Sequence, residues 1–474
     1  MIGDLKPYAD YKDSGLPWLG QVPAHWRVVR NGSLFGQRSQ TGYAELQILE
    51  VSLKTGVQVR SFGGAKRKQV MSDFGKYKRA VKGDLAYNTM RMWQGALGIC
   101  PVDGLVSPAY VVARPYPEVV PEYFAALFRT GDYMAEIDAA SRGIVKDRNR
   151  LYWDQFKQMQ SPCPPPDEQA AIVRFLAWTN GRLDRAIRAK RKVIALLMEQ
   201  KQAIIFRAVT KGFEAGVPLN STAIPWLGDI PAHWELRRLR TLVHAIDQGV
   251  SPLAAGFLAE GDSWGVLKSG CVNRGVFRET EHKRLASEFV VDPSIVVAVG
   301  DVLISRACGS PSLVGSVGRV RSIRYMLILS DKTFRARFRD TVDPDFMVYA
   351  MNSRYYRHQV EQAISGAEGM ANNLPLSSLK DFRFAIPPVA EARHIARRID
   401  VETAAIEKSI ERLEGEIELV REFRTRLVAD IVTGRLDVRD AAAQLPADVP
   451  TGTEADLDNE SDELEPLDEE AAEA

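Results

Sequence analysis

The chain has 474 residues, of which 45% are hydrophobic and 26% are charged, a composition that is typical of globular proteins and excludes collagenous and disulfide-rich classes. The formal net charge is +1, but residues 440–474 contain thirteen Asp and Glu and no Lys or Arg, so subtracting them leaves +14 on residues 1–439. We therefore predict a folded part that binds nucleic acid, although charge alone is equally compatible with an ordinary basic domain.

The N-terminal segment and the four cysteines indicate the environment of the protein. The first fifteen residues lack an apolar segment, and no stretch of the chain approaches the ~20 apolar residues of a membrane span. Cys100, Cys163, Cys271 and Cys308 show no CxxC spacing and no nearby His, so we expect buried, reduced thiols rather than disulfides or zinc ligands. We expect a cytoplasmic protein that binds no metal.

A short arm rich in proline and tryptophan occurs twice. Residues 16–26 read LPWLGQVPAHW and residues 224–234 read IPWLGDIPAHW, and such agreement indicates an internal duplication. The prolines predict a rigid arm that its aromatic residues anchor to a domain. Because no second ligand lies near either histidine, we interpret both as packing and hydrogen-bonding residues. The repeated arm residues are Trp18, His25, Trp26, Trp226, His233 and Trp234.

The segment after each arm reads as short strands separated by Gly and Pro turns, and the first ends in a helical stretch near residues 121–139. The turn Gly83-Asp84 corresponds to Gly300-Asp301, so the two segments share a skeleton. Basic residues interleaved with aromatic ones can contact phosphates and base edges, although any single one is more often a solvated surface charge. The candidate DNA-binding residues are Arg60, Lys66, Arg67, Arg91, Lys146, Arg148, Lys268, Arg274, Arg306 and Arg335.

Each segment is followed by a proline pair and a long helical stretch with a heptad pattern. The second stretch repeats the first at an offset of 223 residues, and polar residues interrupt both seams at Asn180 and Thr403 and at Lys201 and Arg424. We predict that the two helices pair as an antiparallel coiled coil. The seam residues are Leu176, Leu183, Ile187, Ile194, Leu197, Ile204, Ile399, Ile406, Ile410, Leu413, Ile417, Val420 and Leu427.

These observations predict an α+β fold in which two pseudo-repeated mixed α/β domains are joined by two long helices. The predicted boundaries are 1–163 for the N-terminal arm and first domain, 164–212 for the central spacer helix, 213–386 for the linker, repeated arm and second domain, 387–439 for the second spacer helix, and 440–474 for an acidic disordered tail.

Sequence motifs for catalysis are missing. The chain has no GxxxxGK[ST] phosphate loop, no Gly-rich dinucleotide turn and no Asn-Pro-Pro-Tyr or Asp-Pro-Pro-Tyr sequence. We therefore predict no catalytic residues, and we expect any chemistry to come from partner subunits.

The repeated PWLGxxPAHW arm, the helix entrance PPPDEQAAIVRFL with its counterpart PPVAEARHIARRI, and the helix ends TKG and TGRL resemble the specificity subunit of type I restriction-modification systems. The resemblance covers residues 8–439. It implies two target recognition domains that each read one half of a split, asymmetric sequence in double-stranded DNA, with the helices as spacer.

The resemblance also implies a non-catalytic subunit of a site-specific deoxyribonuclease and adenine methyltransferase complex. Two methylation subunits would bind S-adenosylmethionine, two restriction/translocase subunits would use ATP and Mg²⁺, and this chain would bind none of these cofactors. The second helix entrance departs from the pattern, with AEA at residues 390–392 where the first has DEQ at residues 167–169. A DNA-binding coiled-coil scaffold unrelated to restriction enzymes is the alternative function.

Overall fold

The protein is described by a computed structural model over residues 5–53, 55–60, 74–143, 149–364 and 372–446. The chain divides into two compact units: unit 1 comprises residues 1–190 and 415–474, and unit 2 comprises residues 191–414. The chain passes from unit 1 to unit 2 within one long helix and returns within another, so the unit boundaries fall inside the helices rather than at their ends.

Unit 1 begins with short strands and three short helices that precede the first long helix. Its elements are β1 (Tyr11–Asp13), β2 (Gln21–Pro23), β3 (Arg27–Arg30), β4 (Phe35–Arg38), β5 (Leu49–Ser52), β6 (Gly56–Val59), β7 (Lys78–Ala80), β8 (Leu85–Asn88), β9 (Leu97–Ile99), β10 (Gly104–Val106), β11 (Tyr110–Pro115), α1 (Pro121–Phe128), α2 (Gly131–Ala140), α3 (Trp153–Phe156) and β12 (Gln160–Cys163), followed by the long helix α4 (Pro166–Lys211).

The centre of unit 1 is an antiparallel four-stranded sheet in the order β4-β11-β8-β9. The run from Val111 to Ala113 in β11 is buried, as expected for a strand covered on both faces. Helices α1 and α2 lie where the sequence predicts a helical stretch. Aromatic side chains fill the core, and Phe35 lies 5.6 Å from Phe124, ring centroid to ring centroid. Smaller antiparallel pairs, β5-β6 and β7-β10, flank the sheet.

The N-terminal and C-terminal segments of the chain meet in unit 1. Lys6 forms a β-bridge with Asp437, and the hydroxyl of Tyr11 donates to the Gly434 carbonyl at 3.1 Å. The hydroxyl of Tyr123 donates to the Val432 carbonyl at 2.8 Å. The unit 1 core therefore requires residues that are about 300 positions or more apart in sequence, as the separation of 309 between Tyr123 and Val432 illustrates.

Unit 2 repeats the order of strands and helices of unit 1 with additions. Its elements are β13 (Leu219–Ser221), β14 (Asp229–Pro231), β15 (Glu235–Arg238), α5 (Leu239–Leu242), β16 (Val243–Gln248), β17 (Ala254–Ala255), β18 (Trp264–Leu267), β19 (His282–Leu285), β20 (Val302–Ser305), β21 (Ala307–Cys308), β22 (Val317–Arg319), β23 (Met326–Ile328), β24 (Thr333–Phe338), α6 (Pro344–Ala350), α7 (Arg354–Ala363), β25 (Asn372–Asn373), α8 (Leu376–Asp381) and β26 (Arg383–Ile386), then the long helix α9 (Val389–Val432); α10 (Arg439–Ala443) follows in unit 1.

The central sheet of unit 2 has the order β16-β24-β20-β22, which matches β4-β11-β8-β9 strand for strand. A second four-stranded sheet, β17-β19-β18-β23, contains one parallel pair, β18 with β23, and buries its own small cluster around Leu267, Cys271 and Leu303. In unit 1 this region consists of the separate pairs β5-β6 and β7-β10. The two units thus share a central sheet and differ in what is built beside it.

The long helices α4 and α9 pack antiparallel within each unit. In unit 1, Asp184 pairs with Arg424 and Lys190 pairs with Glu416. In unit 2, Lys201 Nζ lies 2.6 Å from Glu407 Oε1. The residue numbers of the ion-pair partners decrease on α9 as they increase on α4, as an antiparallel pair requires. The predicted polar interruptions Lys201 and Arg424 therefore each form an ion pair with the opposite helix.

The predicted seam residues are all buried or half-buried. Buried seam residues include Ile187 in unit 1 and Ile399 in unit 2, and the less buried ones, such as Ile194 and Leu197, lie toward the middle of α4. Gly181 and Gly415, which fall outside the seam, have no side chain of the opposite helix near the position of an added Cβ. The predicted α+β fold with a helix pair is confirmed by this architecture.

Candidate nucleic-acid interface

In unit 1 the arm is fastened to the first turn of α4 by one carboxylate. Glu168 is 4% exposed and accepts from Trp26 Nε1 at 2.9 Å and from the Tyr8 hydroxyl at 2.6 Å. His25 Nε2 lies 2.7 Å from its other oxygen. Burial, together with the hydrogen bond to Glu168, raises the pKa of Tyr8 well above its ordinary value. We call Glu168 and these donors the unit 1 anchor cluster.

Unit 2 contains the same cluster at the first turn of α9. Trp234 Nε1 donates to Glu391 at 3.0 Å, and His233 Nε2 lies 2.8 Å from the second carboxylate oxygen. A carboxylate in the first turn also interacts favourably with the helix dipole. We call these three residues the unit 2 anchor cluster. The position that corresponds to Tyr8 is Gly216, so this cluster lacks the third donor and the Glu391 side chain is 29% exposed.

The first tryptophan of each arm packs on the globular part of its own unit. The Trp18 ring lies 5.3 Å from the Tyr133 ring, edge to face, and the Trp226 ring is stacked on Tyr355 at 6.3 Å. The repeated arm therefore supports the fold of each unit through both of its tryptophans, which leaves the recognition of a ligand to other residues.

The Gly-Asp turns of both units bind an arginine, but from different strands. In unit 1, Arg38 of β4 donates to Asp84 at 2.6 Å. In unit 2, Arg335 of β24 donates to Asp301 at 3.2 Å. Arg38 is paired with Val112 across β4 and β11, and Asp247 is paired with Arg335 across β16 and β24. The arginine thus lies on the first strand of the pair in unit 1 and on the second strand of the equivalent pair in unit 2.

Arg335, one of the candidate DNA-binding residues, is 2% exposed. Its guanidinium also donates to Asp247 at 2.8 Å and to the Val296 carbonyl at 2.7 Å. Asp247 accepts a further bond from Arg337; although partial burial opposes it, the two arginines hold the pKa of Asp247 below its ordinary value. In this arrangement Arg335 faces protein carboxylates and carbonyls rather than solvent.

Two other candidates, Arg91 and Arg306, lie beside an equivalent backbone contact in the two units, and we call the residues around this contact the tip. In unit 1 the Leu151 amide donates to the Thr89 carbonyl at 2.9 Å, and in unit 2 the Leu374 amide donates to the Arg306 carbonyl at 2.8 Å. Arg91 follows Thr89 by two residues and its side chain is exposed. The Arg306 guanidinium donates to the Asp331 carbonyl at 2.9 Å. Arg91 is therefore available to a ligand, whereas Arg306 is partly engaged within the unit.

The remaining candidates are spread over both units. Arg60 is half-buried and takes part in a contact within the protein, and Lys268 lies 3.8 Å from Glu281. Lys66, Arg67, Lys146 and Arg148, and the side chain of Arg274, lie outside the part of the chain that the structure describes.

Sequence reasoning missed exposed apolar residues beside the basic ones. In unit 1, Met90 is 38% and Tyr152 47% exposed, each one residue beyond the bonded pair Thr89 and Leu151. In unit 2, Leu253 and Phe257 are exposed on the segment between β16 and β18. The sequence does carry a signal for such residues. A large apolar side chain within a Gly- and Pro-rich turn is expected to be exposed, because the turn has little core in which to bury it.

Three further properties bear on chemistry. Among the described residues, no group of three or more His, Cys, Asp or Glu is arranged to hold a metal ion. Cys100 and Cys271 are buried, and burial raises the pKa of each thiol to about 12. Within the described ranges, none of the helices combines the length and apolar character that crossing a bilayer requires.

Two relatives of the chain by sequence are named as specificity subunits. It is 29% identical over 164 residues to the type I restriction enzyme EcoEI specificity subunit of Escherichia coli, a match that covers 34% of this chain and 27% of that protein. It is 22% identical over 445 residues to the putative type I restriction enzyme MjaX specificity subunit of Methanocaldococcus jannaschii, covering 89% of this chain and 96% of that protein. The chain thus matches about a quarter of the first relative and nearly all of the second. No family model matches the chain.

The fold also has a counterpart among solved structures. A chain from a structure described as "Structural basis underlying complex assembly and conformational transition of the type I R-M system" superposes with a TM-score of 0.59 at 15% identity, covering 87% of this chain and 98% of that chain. This likeness supports the fold, and the sequence relatives bear the name of the family that the repeated motifs resemble.

Proposed function

We propose that this chain is the DNA-specificity subunit of a type I restriction-modification complex. The observation that carries the proposal is the repeated central sheet, β4-β11-β8-β9 and β16-β24-β20-β22, built with different neighbouring elements on one shared pair of helices. Two units with one skeleton and different surfaces suit a split target whose two halves differ in sequence. The sequence relatives are named for this role.

The charge distribution supports contact with the DNA backbone. Residues 1–439 carry a formal charge of +14, and phosphate contacts supply most of the affinity of DNA-binding proteins without reading sequence. Reading bases requires side chains that are exposed and held in place. Arg91 is exposed, and its side chain projects from a fixed backbone, because its amide and carbonyl are bonded to Asn88 and Ala96.

The long helices support a constant gap between the two half-sites. Both are continuous, with 46 residues in α4 and 44 in α9, and they are tied by ion pairs within each unit. A packed helix pair resists bending, so we expect the number of base pairs between the half-sites to be fixed.

Methylation and cleavage would come from partner subunits. We infer two methylation subunits that bind S-adenosylmethionine and two restriction/translocase subunits that use ATP and Mg²⁺. The helix entrances differ: Gln169 accepts from the Val120 amide at 2.9 Å and donates to the Pro164 carbonyl at 2.8 Å, while Ala392 at the matching position is buried and apolar. At the exposed position of the entrance, the first helix has Asp167 and the second has Ala390, so we expect partners to dock with unequal strength at the two ends. The relatives give no support to the alternative of a DNA-binding scaffold unrelated to restriction enzymes.

The test is a map of adenine methylation across the genome of cells that express the chain with its cognate methylation subunit. Cells that express the methylation subunit alone are the control. We expect a split, asymmetric motif with a constant gap in the first cells only. A soluble complex that adds no methylation would contradict the proposal.

A further inference from the structure

A loop of unit 2, residues 250–258, exposes large apolar side chains. Leu253 is 86% and Phe257 is 70% exposed, and Val250 and Leu258 are 42% and 39% exposed. Exposed apolar clusters of this kind mark interaction sites, because a fold gains nothing from leaving such residues in water. We call residues 250–258 the apolar loop.

The apolar loop is held by backbone bonds. Ala254 and Ala255 pair with Leu285 and Arg284 in β19, and the Arg284 amide donates to the Phe257 carbonyl at 2.9 Å. Just beyond the loop, the Ala259 amide donates to Nε2 of the buried His282 at 2.8 Å. The exposed side chains are therefore presented on a pre-organised backbone, which reduces the entropy lost on binding.

A groove of about 600 Å³ lies beside the loop, between Leu253 and residues 284–287. Arg284 is the one charged residue among those that line it, and Ser263 and Ser287 supply hydroxyl groups. The Arg284 guanidinium lies 5.8 Å from the centroid of the Phe257 ring. Among the residues that the structure describes, no carboxylate forms an ion pair with Arg284. The site thus combines an uncompensated cation with an apolar wall.

We propose that the apolar loop enters the major groove of the DNA half-site read by unit 2, where Phe257 and Leu253 contact thymine methyl groups and Arg284 binds a neighbouring phosphate. The proposal rests on the proposed function. The C5-methyl of thymine is the apolar group that a base pair displays in the major groove, and phenyl and other apolar side chains recognise it. A phosphate suits Arg284 because a guanidinium that lies near the face of an aromatic ring keeps its N–H donors available for an oxyanion.

Unit 1 presents different chemistry at its exposed tip. Met90, Arg91 and Tyr152 are exposed there, so an arginine and two apolar side chains are available to a ligand. Arginine with free donors reads guanine, whereas apolar side chains read thymine. The two half-sites should therefore differ in base composition, with thymine required in the half read by unit 2.

The experiment uses the full chain assembled with its methylation subunits and a duplex that carries the target found by methylation mapping. Uracil replaces thymine in one half-site at a time, which removes only the methyl group. We expect uracil in one half-site to weaken wild-type binding about tenfold. The double variant Leu253→Ala with Phe257→Ala should bind the thymine duplex about tenfold more weakly and should no longer distinguish uracil from thymine.

Two further variants separate the contributions. Arg284→Ala should weaken binding to all duplexes and lower the slope of log affinity against log salt by about one. Phe423→Ala removes a 44% exposed phenyl group from α9 in unit 1 and should bind both duplexes as the wild type does. Thermal unfolding of each variant should match the wild type, since Leu253, Phe257 and Phe423 are exposed and Arg284 is only half-buried.

Three outcomes would overturn the inference and leave the proposed function standing. Uracil could have no effect on the wild type, it could weaken the double variant as much as the wild type, or the double variant could bind DNA normally and lose a partner subunit, which would make the loop a protein-docking surface. If the wild-type complex methylates no split motif, the proposed function itself fails.

Discussion

The two anchor clusters are built from the same arm motif but differ in burial. Glu168 accepts from Tyr8, Trp26 and His25 and its side chain is 3% exposed, whereas Glu391 receives the Trp234 and His233 bonds alone and is 29% exposed. The difference arises from Tyr8, which lies outside the repeated motif and has Gly216 at the corresponding position. A repeated motif therefore fixes the partners of a carboxylate, while residues beyond the motif decide how strongly it is held.

The Gly-Asp turns show a second kind of divergence. Asp84 and Asp301 occupy equivalent turns and each binds an arginine, but the arginine is Arg38 on one strand in unit 1 and Arg335 on the neighbouring strand in unit 2. In unit 2, Asp247 occupies the strand position that Arg38 occupies in unit 1. The ion pair is retained while its residues are exchanged, so a comparison of single positions would not find it.

Replacing either of these arginines should have the largest effect. We expect Arg335→Met and Arg38→Met to destabilise their own units by about 3 to 5 kcal/mol, because each leaves a largely buried carboxylate without its partner. Hydrogen exchange measured by mass spectrometry would report the loss of protection in one unit only. Arg337→Met, at a side chain that is 51% exposed, is the matched control. Unchanged protection with weaker DNA binding in Arg335→Met would instead make Arg335 a DNA contact.

The anchor clusters should respond unequally to the same change. Glu168→Ala leaves the buried donors of Tyr8 and Trp26 without an acceptor, and we expect a loss of about 2 to 3 kcal/mol in unit 1. Glu391→Ala should cost unit 2 about 1 kcal/mol, because the carboxylate is partly exposed and the exposed His233 can bond to solvent instead. Denaturant unfolding followed by hydrogen exchange would compare the two. Equal losses would show that burial of the carboxylate does not govern the strength of the cluster.

Tyr8 should account for part of that difference. Tyr8→Phe removes one hydrogen bond to Glu168 and should destabilise unit 1 by about 1 kcal/mol, leaving unit 2 unchanged. Tyr152→Phe, at a 47% exposed side chain, should have no effect in the same unfolding measurement. If the Tyr8 variant is as stable as the wild type, the contrast between the clusters has another origin.

The smallest expected effect concerns pH. The pKa of Asp247 is held low by Arg337 and Arg335 in spite of partial burial. Its stabilising contribution to unit 2 is therefore present above the unfolded pKa of about 3.9 and is lost as the pH falls through the lower folded pKa. Arg337→Met should diminish this contribution by less than about 1 kcal/mol, since the pair is partly exposed. Thermal unfolding between pH 3 and pH 7 should show the two proteins converging at the acid end.

The sequence predicts those features that periodicity or repetition records. The heptad spacing of Leu176, Ile187 and Ile399 predicts the helix pair, because a seam must recur every three to four residues to be buried. The repeat of Trp26 as Trp234 predicts equivalent arms. Two units and their helices could therefore be derived before any coordinates.

The DNA-reading residues could not be derived in the same way. Arg91 and Arg335 have the same side chain and both lie among strands and turns, yet one is exposed and the other is enclosed by Asp247 and Asp301. Only the strand register brings those carboxylates to Arg335. The exposure of Leu253 and Phe257 likewise depends on the additional sheet of unit 2. This sheet could not be predicted from the internal repeat, because unit 1 does not contain it.

The meeting of the two chain ends in unit 1 has a consequence for biosynthesis. A ribosome makes residues 1–190 first, but Tyr8, Tyr11 and Tyr123 must wait for residues 432–439 before their contacts can form. Unit 2 is continuous from residue 191 to residue 414, so it can complete its core while unit 1 is still open. N-terminal domains usually fold first during synthesis. Here we expect unit 2 to fold before unit 1. Unit 1 is incomplete until residues 432–439 have been made, and at that stage the nascent chain is most exposed to misfolding.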